Sequence, residues 1–266
     1  MIYVLTIAGS DSCGGAGIQA DIKTIHHLGA HALTAVTAVT AQNSVGVAAI
    51  HPVPALFLSR QVDVLLTDVF PQAVKLGMLC SAEAVREVVR LIARHGLSNV
   101  VLDPVIHAST GAGLLEGEEA VAALREELLP RVRVVTPNLE EASILTGRSV
   151  RTLEEAEAAA RDLHADGPDV VVTGGHFPEQ CTDVLCDDSG LVPFEGDRLD
   201  ALCSHGTGCV FSSALAVFLA QGHSVRDAVA QARTVVRKAL RDGYPCGKGK
   251  GVVNPLGGTS LLAHAP

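Results

Sequence analysis

The sequence predicts a doubly wound α/β sandwich with a mostly parallel central sheet and helices on both faces. Three observations predict it. Short β-branched runs alternate with helical stretches from one end of the chain to the other, several of those runs are apolar throughout, and no linker interrupts them. A uniformly apolar strand marks a parallel sheet covered on both faces, because neither side of its pleat meets water. In such sheets ligands sit at the carboxyl ends of the strands.

Strands are expected over Tyr3–Ile7, Leu33–Val39, Ala73–Leu76, Val100–Leu102, Val132–Val135 and Val170–Val172. Helices are expected over Gly17–Leu28, Ala82–Arg94, Gly117–Leu128, Asn138–Leu145, Leu153–Asp166, Gly206–Ala220 and Val225–Arg241. The opening run from Met1 to Ala8 lacks a basic flank and stops at Gly9 and Asp11, too short for a bilayer span. It reads as a buried strand. With no Pro-, Gly- or Ser-rich divider, residues 1–256 are expected to form a single domain followed by a tail, 257–266.

Composition narrows the function. The 266 residues are 48% apolar and only 18% charged, which suits a large, well-buried core. A formal net charge of −9 argues against a nucleic-acid backbone as partner. The lack of tryptophan, with 3% aromatics, leaves few platforms for stacking bases. Seven cysteines without a CxxC pair suggest reduced thiols in a cytoplasmic protein that engages neither membrane nor nucleic acid.

The segment His205-Gly206-Thr207-Gly208-Cys209 opens an apolar helix. A glycine-spaced helix start aims unpaired N–H groups and the positive end of the helix dipole at one point, which makes an anion site. In that field the Cys209 thiol is expected to shift towards thiolate; the alternative is a tight loop holding a cysteine as core filler. Gly15, Gly17 and Ala20 fit a dinucleotide-type turn, yet Ala35 to Ala41 offers no acid for a ribose, and no P-loop occurs. Asp21 is a candidate substrate carboxylate or a solvated helical residue. Gln42, at a strand end, is a candidate for a heterocycle edge or a turn residue. Asp103, before Pro104, is placed to hold Mg²⁺. Asn138 and Glu141 have the spacing of a capping box, with metal or phosphate duty as the competing role.

Taken together, these segments resemble one family. Ala8-Gly9-Ser10-Asp11 through Gly14–Asp21, Thr40-Ala41-Gln42-Asn43, Lys75-Leu76-Gly77-Met78-Leu79, Thr136-Pro137-Asn138-Leu139-Glu140-Glu141-Ala142 and His205–Cys209 follow, in order, the pattern of the hydroxymethylpyrimidine/phosphomethylpyrimidine kinases of thiamine biosynthesis. These belong to the ribokinase-like superfamily, and the resemblance runs from Ile2 to about Pro255. It implies a ribokinase-like fold and ATP-dependent phosphorylation of an aminopyrimidine alcohol to its monophosphate and then its diphosphate. Cys209 would be catalytic, with Gly206, Thr207 and Gly208 forming the anion hole. Asp21, Gln42, Met78 and Gly9 would bind the pyrimidine. Asn138, Thr173 and Lys248 would lie at ATP, and Asp103 and Glu141 at Mg²⁺. A homodimer is implied as well.

The chain departs from the family pattern in places. Thr173 stands before Gly174-Gly175-His176 where the family often has lysine, and Ile106-His107-Ala108-Ser109-Thr110 lacks another lysine after Asp-Pro-Val. Cys13 replaces a more usual serine. Two rival functions remain at this stage. Pyridoxal kinase uses the same scaffold on a related ring, and a catalytically silent ligand-binding module would keep the fold without turnover.

Overall fold

The computed structural model describes residues 1–108, 111–175, 181–199 and 203–257. Ser109, Thr110, His176 and the tail from 258 onward, all named above, lie outside the described residues. The strands are β1 (Tyr3–Ser10), β2 (His31–Gln42), β3 (Val47–Pro52), β4 (Ala73–Leu76), β5 (Val100–Leu102), β6 (Val134–Val135), β7 (Asp169–Val172), β8 (Asp183–Asp187), β9 (Gly190–Phe194), β10 (Cys203–His205) and β11 (Gly251–Val252). The helices are α1 (Gly17–His27), α2 (Ala55–Leu66), α3 (Ala82–His95), α4 (Gly117–Ala123), α5 (Leu139–Thr146), α6 (Leu153–His164), α7 (Thr207–Ala220) and α8 (Val225–Arg241).

One nine-stranded sheet runs in the order β3-β2-β1-β4-β5-β6-β7-β8-β9. The pairings from β2 to β7 are parallel, and antiparallel strands close both edges: β3 on one side, the β8–β9 hairpin on the other. Each central strand feeds two cores by alternation. Leu5, Ile7, Val74 and Leu102 pack with α2 to α6, whereas Val4, Ala73, Val101 and Val134 pack with α1, α7 and α8. From Val210 to Leu219 α7 is buried on every side, because it lies between the sheet and α8.

Several boundaries differ from expectation for identifiable reasons. Asn138 and Gly206 cap their helices from outside and are not in the first turn. The helix expected over Gly117–Leu128 loses regular form after Ala123 and widens into a π turn at Leu124–Leu128, just before Pro130, which has no N–H and cannot continue a ladder. The strand expected from Val132 pairs only at Val134–Val135.

Leu102 is wholly buried between β4 and β6. Leu102→Ala is expected to cost about 2–5 kcal/mol, from lost transfer energy plus the cavity left behind. A lower urea midpoint with an unchanged slope would register it.

Candidate active site

The carboxyl ends of β1, β2, β4, β5, β6 and β7 open onto one cavity of about 810 Å³. Three helix N-termini face it. Ala16 and Gly17 line it from α1, Asn138 to Glu141 from α5, and Thr207, Gly208 and Cys209 from α7. The α7 start has no side-chain cap, and Gly206 enters it with φ +91°. Its first N–H groups therefore keep the unpaired donors that an anion accepts. A Cβ on Gly206 would overlap the Gly15 carbonyl oxygen, so the close approach of the two loops requires glycine there.

Beneath this floor lies a buried charge cluster. Lys75, alone among the apolar residues of β4, is completely buried and donates to Asp21 Oδ1 at 2.9 Å and Oδ2 at 3.0 Å. Its ammonium also stands 4.0 Å from Asp103 Oδ2. Asp21 further accepts from Thr6 Oγ1 at 2.6 Å and Ser213 Oγ at 2.8 Å, and Asp103 accepts from Ser212 Oγ at 3.1 Å. Two successive serines thus fasten α7 to the two carboxylates that flank Lys75. Burial opposes the charge, but the combined pull of Asp21, Cys209 and Asp103, with the hydrogen bonds to Asp21, outweighs it and raises the Lys75 pKa.

The acids facing the cavity shift upward too, which for a carboxyl favours the neutral form. Burial raises the Asp103 pKa although Lys75 opposes it, and burial together with the Asp103 charge pushes Glu141 well above the usual carboxylate range. Cys209 keeps some exposed surface, but enclosure by protein pushes its thiol up to about 12; Lys75 favours the thiolate, and Asp103 and Asp21 disfavour it. The expected drift towards thiolate is corrected: desolvation exceeds the pull of the helix end.

At the other end of the cavity, Gly9, Gln42 and Met78 form part of the wall. A Cβ on Gly9 would come within 2.9 Å of Met78 Sδ, so glycine there lets the thioether lie across β1. Asp11, 4% exposed, gathers the loop after β1: it accepts from the backbone N–H groups of Cys13, Gly15 and Ala16 and bonds His205 Nε2 at 3.0 Å. Burial alone would raise its pKa, but these donors, His205 foremost, hold it below the ordinary carboxylate value.

The phosphomethylpyrimidine kinase family matches residues 11–254. The hydroxymethylpyrimidine/phosphomethylpyrimidine kinase of Bacillus subtilis is 44% identical over 94% of this chain and 93% of its own length. A bifunctional thiamine biosynthesis protein of Geobacter sulfurreducens is 43% identical over 95% of this chain, which spans 52% of that longer relative. The ADP complex of B. subtilis pyridoxal kinase superposes with a TM-score of 0.88 at 34% identity, covering 96% of this chain and 97% of that one. This chain belongs to the phosphomethylpyrimidine kinase family.

In this family member, the residues expected at the site fall into two groups. Gly9, Gln42, Met78, Asp103, Asn138, Glu141, Thr173, Gly206, Thr207, Gly208 and Cys209 all line the cavity. Asn138 and Glu141 line it while also forming a capping box, Glu141 N–H to Asn138 Oδ1 at 3.0 Å and Asn138 N–H to Glu141 Oε2 at 2.9 Å. Asp21 does not line it. Its carboxylate is wholly buried and fully engaged by Lys75, Thr6 and Ser213, so a substrate contact is replaced by support of Lys75. Lys248 is exposed away from the wall, and Lys250, two residues on, lines the cavity instead. Sequence reasoning gave no role to Lys75, Asp11, His205 or Arg233, all of which line the cavity. Arg233 bonds Asp183 Oδ2 at 2.7 Å, and Asp183 Oδ1 accepts the Gly174 N–H at 2.8 Å. A lone lysine inside a four-residue apolar strand was the available signal for Lys75.

Two outcomes follow from these charges. Lys75→Met strands Asp21 without its counter-ion and is expected to cost about 3–5 kcal/mol, part of which Asp21→Asn in the same chain recovers; urea denaturation of both variants measures it. Glu141 binds its proton more tightly folded than unfolded, so its contribution to stability is complete below the ordinary glutamate range and is lost as pH rises towards the elevated folded value. Glu141→Gln mimics the protonated form, so the Tm of the variant relative to the parent should climb with pH in metal-free buffer. A constant difference would contradict that direction.

Proposed function

We propose that the chain transfers the γ-phosphoryl group of ATP to the hydroxymethyl oxygen of 4-amino-5-hydroxymethyl-2-methylpyrimidine, and then phosphorylates the monophosphate to the diphosphate for thiamine diphosphate synthesis. The observation that carries this reading is the uncapped start of α7, Gly206 to Gly208, beside Cys209 and the Asp103 carboxylate in one cavity. Family membership and the relatives' names give it its substrate class.

Asp103 and Glu141 fit Mg²⁺. Both are oxygen donors facing the cavity, and their mutual repulsion and burial create a demand for positive charge. Among the described residues no three His, Cys, Asp or Glu side chains could cage a metal ion. A pair of carboxylates matches a cation that takes one or two of them and leaves its other positions to phosphate and water. Bound there, Mg²⁺ would neutralise phosphate charge. Asn138, Thr173 and Lys250 would lie along the nucleotide, with Lys248 outside the wall. Gln42 offers its amide to the aminopyrimidine edge, and Met78 packs on the ring above Gly9.

Catalysis then rests on alignment and on donors already in place where charge develops. The N–H groups at the α7 start hold the transferring group. Cys209 is the proposed acceptor of the hydroxyl proton: burial holds its thiol protonated, Lys75 favours the thiolate, and the Asp103 charge that opposes it would be offset by a cation held there. In the second transfer the acceptor is already an anionic phosphate, which needs no base.

Oligomerisation belongs to the same reading. Val39, Val45, Leu56, Phe57, Val64 and Phe70 are exposed along β2, the following turn, α2 and the segment after it. They support a homodimer through that face. No described helix is long and apolar enough to cross a membrane; the proposed substrates, a pyrimidine alcohol and ATP, are those of a cytoplasmic enzyme working on small molecules.

Incubation with MgATP and the pyrimidine alcohol, read by mass spectrometry, tests the reading: monophosphate then diphosphate should accumulate, and chelation of magnesium should stop both. Pyridoxal under the same conditions distinguishes the rival kinase, and no product from either substrate would mean a silent binding module. Cys209→Ala is expected to slow the first transfer by about 10²-fold or more and the second far less. Equal losses would refute that division between the two steps.

A further inference from the structure

We propose that Asp11 and His205 form one positioning pair that transmits the seating of the pyrimidine-side loop to the anion hole at the start of α7. The proposal rests on the kinase reading above. It concerns two residues that neither hold the phosphoryl group nor contact the metal.

A continuous set of bonds joins the two ends of the cavity. At the pyrimidine end, Ser12 Oγ donates to the Gln42 carbonyl at 2.8 Å and to the Thr40 carbonyl at 3.1 Å, and accepts the Gln42 N–H at 2.9 Å. The neighbouring Asp11 folds the loop around its carboxylate: Oδ1 accepts from Cys13 at 2.8 Å, and Oδ2 from Gly15 at 3.1 Å and Ala16 at 2.9 Å. The same Oδ2 takes His205 Nε2. His205 ends β10, its carbonyl accepts the Val253 N–H at 3.1 Å, and the next residue, Gly206, caps α7. The loop also presses on this corner directly. A Cβ on Gly15 would overlap the His205 ring, and one on Gly206 would overlap the Gly15 carbonyl. A shift of the Asp11 loop therefore has no slack to absorb it before it reaches Gly206.

The chemistry of the pair supplies selective variants. In Asp11→Asn one oxygen becomes an NH₂ that cannot accept, so either Cys13 or the trio on Oδ2 loses its acceptor. His205→Leu removes the donor. His205→Gln places an amide N–H near the position of Nε2 and can still donate to Asp11.

Two measurements on the full chain test the pair. In steady-state kinetics of the first transfer, Asp11→Asn and His205→Leu should lower kcat by about 10- to 100-fold with KM for the pyrimidine within about threefold, as expected for misalignment of an otherwise intact hole. His205→Gln should recover to within about threefold of the parent kcat. In hydrogen exchange read by mass spectrometry, either single loss should speed exchange in both the 10–17 and the 203–210 peptides. Unchanged kcat in an active parent, failure of Gln to rescue, or faster exchange confined to the substituted segment would each overturn the proposal. An inactive parent would refute the kinase reading, while hydrogen exchange would still decide whether the two loops move together. Should Asp11→Asn fail to fold, the Leu and Gln variants at 205 carry the comparison alone.

Discussion

A single buried ammonium organises the floor of this site. Lys75 has no water to fall back on, so its charge persists only because Asp21 is bonded to it and Asp103 stands near. Those carboxylates in turn hold Ser213 and Ser212 of α7, which fixes the rotation of that helix and hence the aim of its first N–H groups. One positive charge against two negative ones, with Glu141 close enough to raise the count, leaves the cavity floor short of cations. A negatively biased floor under the unpaired N–H groups of a helix start is a poor resting arrangement. Under the proposed kinase reading it becomes a good one when a phosphate arrives with its own counter-ion.

How far the sequence disclosed this depended on whether the signal was local. β4, β5 and α8 begin and end where their apolar periodicity says, because strand and helix periods and the caps around them lie within a few residues. β3 was missed since Ala48, Ala49, His51 and Pro52 are exposed, so no alternation of burial marks it. α2 lacked a side-chain cap at Pro54, and the β8–β9 hairpin adds only short strands to an edge. In the site, the glycine turn and its cysteine were visible as a unit, as was the Asn138–Glu141 box. The true office of Asp21 was not visible, because its partners lie 15, 54 and 192 residues away in the chain. A carboxylate on a helix reads as exposed until a distant lysine is known to claim it.

The parallel strand order explains why so few residues make so specific a cavity. Gly9, Gln42, Met78, Asp103, Asn138 and Thr173 each lie at or just past the carboxyl end of a different central strand, side by side along one edge of the sheet. The residues proposed to face the ring therefore gather near β1, β2 and β4, and those proposed to serve phosphate and its cation gather near β5, β6 and β7. A relative that phosphorylates another ring can keep the second group and alter the first.

The close approach of Gly15 to Gly206, with β11 laid beside β10, joins segments far apart in the sequence. Val252 pairs with His205, and the loop that meets them begins at Asp11. During synthesis the central strands are complete long before residue 252 leaves the ribosome, so the sheet can collapse while the corner at Gly206 is still unbuilt. A growing chain of this design is folded in much of its mass before β11 arrives to brace the residues that lead into α7.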